Sequence, residues 1–311
     1  MKLTWKNNAK LFLSISVCVM LIALVMSLFG LGLNYGIDFA GGLNIEYNMN
    51  ATFDQADVET ALRNQGLTDF KVSTTGTAGT TLSIRIPSLS GEDEIQNLQN
   101  GLETELLAKY PAMDVNTAVA SYVGPTAGAT LVKNAVLSVL LASLMMLGYI
   151  ALRFDLFSGM AAVIGLLHDV LIMLSFMVLL RNMIQMNSSF IAAMLTIVGY
   201  SINNTIVIFD RIRENNKKPE YAGLPRTEVV TTSIRQSLGR TINTTLTTLV
   251  TIITLYIMGV PAIREFSLPI IIGILAGLYS ANLINGYVWA FLEEKFGNRS
   301  KRAKKLNAKK A

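Results

Sequence analysis

Long apolar runs separated by polar stretches divide the chain, and their lengths predict what each one does. Residues 11–33 contain no charged side chain. A bilayer core needs about 20 helical residues, so this run is expected to form a first transmembrane helix. Further apolar runs at 135–152, 156–180, 190–209, 242–260 and 266–292 predict five more. A cleaved signal peptide is the rival reading of the first run. Its apolar region would span only roughly 7 to 15 residues and end at a small-residue cleavage site, and the sequence offers no clear one.

Between the first and second runs the period changes. Residues 43–49 alternate as a strand does, and 54–65 read as a helix opened by an Asp54 cap. Residues 70–74 and 81–87 form two strands joined by a Gly-rich turn, 92–110 a second helix and 115–123 a last strand. The order strand, helix, strand, strand, helix, strand predicts a ferredoxin-like unit. The expected fold class is therefore an α-helical polytopic membrane protein with six transmembrane helices and one exterior α+β ferredoxin-like domain between the first and second helices. The expected domains are 1–34, the N-terminus and first helix; 35–132, the exterior domain; 133–292, a five-helix membrane bundle; and 293–311, a basic tail.

Composition agrees with a membrane. Of 311 residues 51% are hydrophobic and 15% charged, against about a quarter charged in soluble proteins. The net charge of +5 does not point to nucleic acid, because the basic residues are neither spread over a folded surface nor interleaved with aromatics. Nineteen of the 26 Lys and Arg residues fall on the side of the termini, and seven on the other. By the positive-inside rule both termini are expected in the cytoplasm. The tail is expected to touch anionic lipid as a topology anchor; a ribosome or another cytoplasmic partner is the alternative. Residues 35–132 hold 12 acidic and 4 basic side chains, which form either a solvated surface or a binding platform. One cysteine, Cys18, excludes an intrachain disulfide, and one histidine, His168, excludes a multi-histidine metal site.

An ionisable residue inside a span costs at least about 2.5 to 3.5 kcal/mol on insertion scales. Asp169 is the main case, near the middle of the third span beside His168. Neighbouring helix positions differ by about 100°, so the two are not expected to face one neighbour squarely. Asp169 is either a neutral packing residue or part of an ion relay. The fourth span carries Gly199, Tyr200, Ser201, Asn203, Asn204 and Thr205. The fifth opens with Arg240 and continues through Thr244, Thr247, Thr248, Thr251 and Thr254 along one face. Those threonines either bond their own backbone or line a polar path. Arg240 and Asn204 both lie near the cytoplasmic third, and their side chains are expected to be able to meet. Gly273, Gly277 and Ala281 recur every four residues in the sixth span and continue to Asn285, a close-packing face.

Five motifs then carry a resemblance over the whole chain: GIDFAGG at 36–42, VGP at 123–125, HDV at 168–170, GYSINNTIVIFDRIREN at 199–215 and RTINT at 240–244. The chain resembles the SecF family of bacterial Sec protein translocase subunits, within the wider RND superfamily of membrane transporters. The resemblance implies a bacterial plasma (inner) membrane location, a partner SecD, and association with the SecYEG channel. It further implies action on preprotein substrates by ion flow after the ATPase SecA has pushed. It implies no enzyme, no catalytic residue and no cofactor. Carried over by position, Arg240 is the functional arginine of the fifth span, and Gly36, Asp38, Gly41 and Gly42 are the motif after the first. His168, Tyr200, Asn203, Thr244 and Thr248 form a supporting polar face. Where many family members have an acidic residue in the fourth span, this sequence has Asn204, whose amide takes no proton. The relay then falls to Asp169 and carboxylates of the partner, or the coupling ion is sodium, which amide and hydroxyl oxygens ligate. The competing functions are an RND-type exporter subunit for lipids or small molecules, a passive translocon scaffold, and, least of all, an intramembrane protease, which lacks HExxH spacing.

Overall fold

The computed structural model describes residues 5–75, 79–87, 91–181 and 184–297. The described residues form two compact units: those within 1–33, 137–181 and 189–311 make one, and those within 34–136 and 182–188 the other. Six helices among them are long and apolar enough to cross a membrane.

The smaller unit contains the antiparallel sheet. After the one-turn helix α2 (Ile37–Ala40), the order is β1 (Gly42–Asn48), α3 (Gln55–Asn64), β2 (Lys71–Thr75), β3 (Thr81–Ile86), α4 (Glu92–Lys109) and β4 (Asp114–Val123). The strands lie side by side as β2-β3-β1-β4, with Ile45 opposite Ile84 on one flank and Ala120 on the other. Strand alternation sends Leu43, Ile45, Tyr47, Leu82, Ile84 and Ile86 to one face. Val58, Ala61 and Leu62 of α3, with Leu98, Leu102 and Leu106 of α4, cover that face at helical spacing. Asp54 caps α3 as expected, accepting from Ala56 N–H at 2.9 Å. The Gly-rich turn falls largely at 76–78, outside the described residues.

The larger unit is the helical bundle. Helix α1 (Trp5–Leu28) stops five residues before the end of its apolar run, in a turn where Leu31 N–H donates to the Met26 carbonyl at 2.9 Å, the 6→1 bond of a Schellman-type terminus. Helix α5 (Pro125–Arg153) and α8 (Arg226–Met258) begin well before their apolar runs. Apolarity marks the part of a helix that lipid surrounds, whereas the helix itself continues wherever its backbone bonds do. Helix α6 (Leu156–Leu179) starts at an Asp155 cap that accepts from Ser158 N–H at 2.8 Å. Helix α7 spans Ser188–Asn215. The last span is α9 (Pro261–Ser280), a π-helical turn (Ala281–Asn285), α10 (Gly286–Leu292) and a second π turn (Glu293–Gly297). Helices α6 and α7 bury much of their surface inside the chain, while α1, α5 and α8 leave Leu, Ile and Val exposed along most of their length. A lipid solvent accepts such surface, which water does not.

Candidate functional site

Inside the bundle the carboxyl of Asp169 has no exposed surface. Its Oδ1 lies 2.8 Å from His168 Nδ1. Its Oδ2 accepts from the hydroxyls of Ser201 on α7 and Ser280 on α9, the latter at 2.8 Å. The expected divergence of adjacent helix positions is met in an enclosed helix: Asp169 turns toward α7 and α9, while His168 turns toward α1. There His168 Nε2 lies 2.8 Å from Ser16 Oγ. The Ser16 hydroxyl is also 3.3 Å from the Phe12 carbonyl, which accepts from Tyr279 OH at 2.6 Å. The Tyr279 ring stacks on the imidazole at 6.0 Å between centroids.

The small-residue stripe of the sixth span makes this enclosure possible. A Cβ at Gly277 would stand 3.1 Å from the Ser201 backbone and 3.6 Å from Asp169 Oδ2, so the bare glycine lets α9 come close enough for Ser280 to reach the carboxylate. One turn further on, a second buried polar layer gathers round the π turn. Asn285 donates to Thr205 Oγ1 at 2.8 Å, and Thr241 donates to Asn282 Oδ1 at 3.3 Å. Asn204 donates to Thr245 Oγ1 at 3.3 Å. Asn282 and Asn285, three positions apart in the π turn, are both buried.

The GIDFAGG segment forms a separate structure in the smaller unit. Gly36 N–H donates to the Met186 carbonyl at 2.6 Å, and Met186 N–H to the Asn34 carbonyl at 2.8 Å. Asp38 Oδ2 accepts from the Ser188 N–H at 2.6 Å and from its hydroxyl, so it takes up the first orphan amide of α7. Gly41 closes the one-turn helix with positive φ. Gly42 has φ of 109°, and a Cβ there would run into the Ile86 carbonyl and Pro87; a side chain would break the pairing of β1 with β3.

Arg240 and Asn204 are not brought together. Asn204 is buried on Thr245, whereas Arg240 is exposed on α8 and its guanidinium has no hydrogen bond or ion pair among the described residues. Asn204 sits on the face of α7 that packs inside the chain, and Arg240 on an exposed side of α8. Asn203 is exposed and Tyr200 half-buried. Thr244 and Thr248 donate to the carbonyls of Arg240 and Thr244 at 2.8 and 3.1 Å, the self-bonding alternative for this face. Ser16 and Ser280, which bond His168 and Asp169, are not among the residues that the sequence singles out. A single serine in an apolar run carries almost no signal; the place of Ser280 directly before Ala281 of the small-residue stripe is the one local trace.

Residues 103–295 match the model of the protein export membrane protein SecD/SecF C-terminal family, and residues 27–51 match the SecD/SecF GG motif. The chain is similar to the protein translocase subunit SecF of Endomicrobium trichonymphae, at 34% identity over 88% of this chain and 86% of that one. Its identity to the SecF subunit of Rickettsia prowazekii is also 34%, over 94% and 92%. Among solved structures it resembles SecDF of Thermus thermophilus, a translocon-associated membrane protein, with TM-score 0.81 and 32% identity over 94% of this chain. That alignment spans 39% of the longer SecDF chain. With six candidate spans, a sheet-bearing unit and these relatives, the chain is a multi-pass membrane protein that belongs to the SecD/SecF family, among the subunits called SecF.

Proposed function

We propose that this chain is an accessory subunit of the Sec protein-export machinery, working with SecD beside the SecYEG channel. It uses an ion gradient to drive late movement of preproteins that SecA has begun to push. The sheet-bearing unit is a ferredoxin-like domain on the exterior face and both termini are cytoplasmic, a reading supported by the strand order and by the lysine and arginine count. The work is transport rather than catalysis. The observation that carries the ion-driven part is Asp169, a carboxyl placed inside a membrane bundle and held by His168, Ser201 and Ser280. Such a group is costly in a span, and a packing role alone does not call for a neighbouring imidazole.

Asn204 supports a second reading, a passive scaffold for the translocon, because an amide neither binds nor releases a proton. Export into vesicles under imposed proton or sodium gradients separates the two. If protons are the coupling ion, Asp169→Asn abolishes the proton-dependent step, while Asn204→Ala weakens it by a hydrogen bond worth about 0.6 to 2 kcal/mol. If sodium couples, Asn204→Ala is impaired at low sodium and recovers at high sodium. Normal export by Asp169→Asn under both gradients makes Asp169 a packing residue and leaves the ion site to the partner.

A further inference from the structure

The hydrogen bonds around His168 restrict where a proton can enter the site, an inference that rests on reading Asp169 as an ion site. Ser201 and Ser280 both point at Oδ2 of Asp169, so Oδ1 is left to His168 Nδ1 with one hydrogen on the line between them. Across the ring, Nε2 faces Ser16 Oγ, and that hydroxyl also lies in reach of the Phe12 carbonyl. A hydroxyl has one hydrogen, a carbonyl accepts only, and a ring nitrogen donates or accepts according to whether it is protonated.

Two arrangements satisfy every atom. With the Ser16 hydrogen directed at Nε2, that nitrogen is bare and the His168–Asp169 pair holds one hydrogen. With the Ser16 hydrogen turned to the Phe12 carbonyl, Nε2 must carry its own hydrogen and donate it to Ser16 Oγ, and the pair holds two. The arrangements differ by one proton and by one rotation of a hydroxyl. The Nδ1–Oδ1 bond is made in both.

We propose that the transported proton enters and leaves at His168 Nε2, and that Ser16 on the first span is the positioning residue that changes partner with load. The incoming proton is given up by a hydronium ion, whose O–H bond breaks to leave water as the N–H bond forms at Nε2. The Ser16 O–H stays intact and only its hydrogen bond moves, from Nε2 to the Phe12 carbonyl. Asp169 supplies the matching negative charge across the Nδ1–Oδ1 bond, and release reverses each step. The groups acting on the Asp169 carboxyl are His168, Ser201 and Ser280. Of the neighbouring helices, α7 and α9 face it with these two hydroxyls, and α1 faces His168 with Ser16. The further titratable side chain against the pair is Tyr279, whose ring lies over His168 and whose hydroxyl donates to the same Phe12 carbonyl. The half-buried Tyr279 thus marks the outer rim of the network. Ser16 is itself 2% exposed, so its hydroxyl has no alternative partner in solvent.

The chain has one histidine, so 15N-histidine labelling of the full chain with SecD in lipid vesicles reports on His168 alone. When the vesicles are acidified, Nε2 should pass from bare to protonated while Nδ1 keeps a hydrogen-bonded signal. In Ser16→Ala the protonated Nε2 signal should move to the position of an N–H without an acceptor, with Nδ1 unchanged. Proton-driven export should fall about tenfold, as expected for one lost hydrogen bond to an ionised group, and recover in part in Ser16→Thr. The proposal is overturned if Nδ1 is the nitrogen that gains and loses the hydrogen, if neither nitrogen changes, or if Ser16→Ala leaves the Nε2 signal in place. Normal export by Asp169→Asn alongside a converting Nε2 counts against the transport reading alone.

Discussion

Oδ2 of Asp169 receives two hydroxyl donors from two different helices, and removing one leaves the other. Ser201→Ala or Ser280→Ala alone should each reduce proton-driven export a few-fold, in line with about 0.6 to 2 kcal/mol per hydrogen bond in a membrane. Together they should cost more than the sum, because the double variant strands a buried acceptor. A double-mutant cycle on vesicle export rates checks this, and simple additivity would separate the two serines. Gly277→Ala should act in the direction of Ser201→Ala: its methyl would stand 3.1 Å from the Ser201 backbone and at ordinary contact distance, 3.6 Å, from Asp169 Oδ2, so α7 must yield by a few tenths of an ångström and carry the Ser201 donor with it.

At the scale of elements, Asp38 holds the first turn of α7 from a segment 150 residues away. Asp38→Ala should free the Ser188 amide at a cost of about 1 kcal/mol, the usual worth of a helix cap. Hydrogen exchange localised to the start of α7 would show it, and unchanged protection there would mean that other bonds hold the turn. The two helices of the sheet-bearing unit are joined by a surface network: Lys109 contacts Asp57 at 2.5 Å, and Tyr110 donates to Asp57 at 2.5 Å. These partners, Lys109 first, hold the Asp57 carboxyl below its ordinary value of 3.8. A lowered pKa in the folded state means stability that is complete above 3.8 and lost as pH falls through the lowered value. The fragment from Gly42 to Val123 should fold alone and be marginally stable at its size, roughly 80 residues. Its acid unfolding curve should flatten below pH 3.8 in Asp57→Asn. A fragment with only disordered amide resonances would end the idea of an independent domain.

On the scale of the whole molecule, the exposed side of α8 presents Arg240, Asn243, Thr247, Thr251 and Thr254. The three threonines are satisfied by their own backbone, at 2.9, 3.2 and 2.8 Å, and suit lipid or protein equally. Arg240 does not, because a guanidinium costs at least about 2.5 kcal/mol in hydrocarbon. The face is therefore suited to a partner helix that brings an acceptor. Arg240→Ala should impair export more than Arg235→Ala at equal membrane abundance, and Arg240→Lys should restore part of it, since the charge is kept but the planar five-donor fork is lost. Equal export rates for the two alanine variants would remove Arg240 from the coupling surface.

The number and order of the spans, the strands and helices between them, and the Asp54 cap were all legible in the sequence. Transfer of apolar side chains into lipid adds up residue by residue over a window, and strand alternation and capping act over a few neighbours, so each leaves a local trace. Asp169 stood out for the same reason, as a charge where none is cheap. Its partners did not. Ser16 meets His168 across 152 positions, and Asp38 meets Ser188 across 150; each pair is chosen by how the backbone brings distant segments together, which no periodicity records. The expected meeting of Arg240 with Asn204 failed on the same ground: equal depth in a membrane says nothing about rotation around a helix axis. That rotation, and the pairing of Asn282 with Thr241 and of Asn285 with Thr205, are set by side-chain packing between helices and were decided only in the tertiary structure.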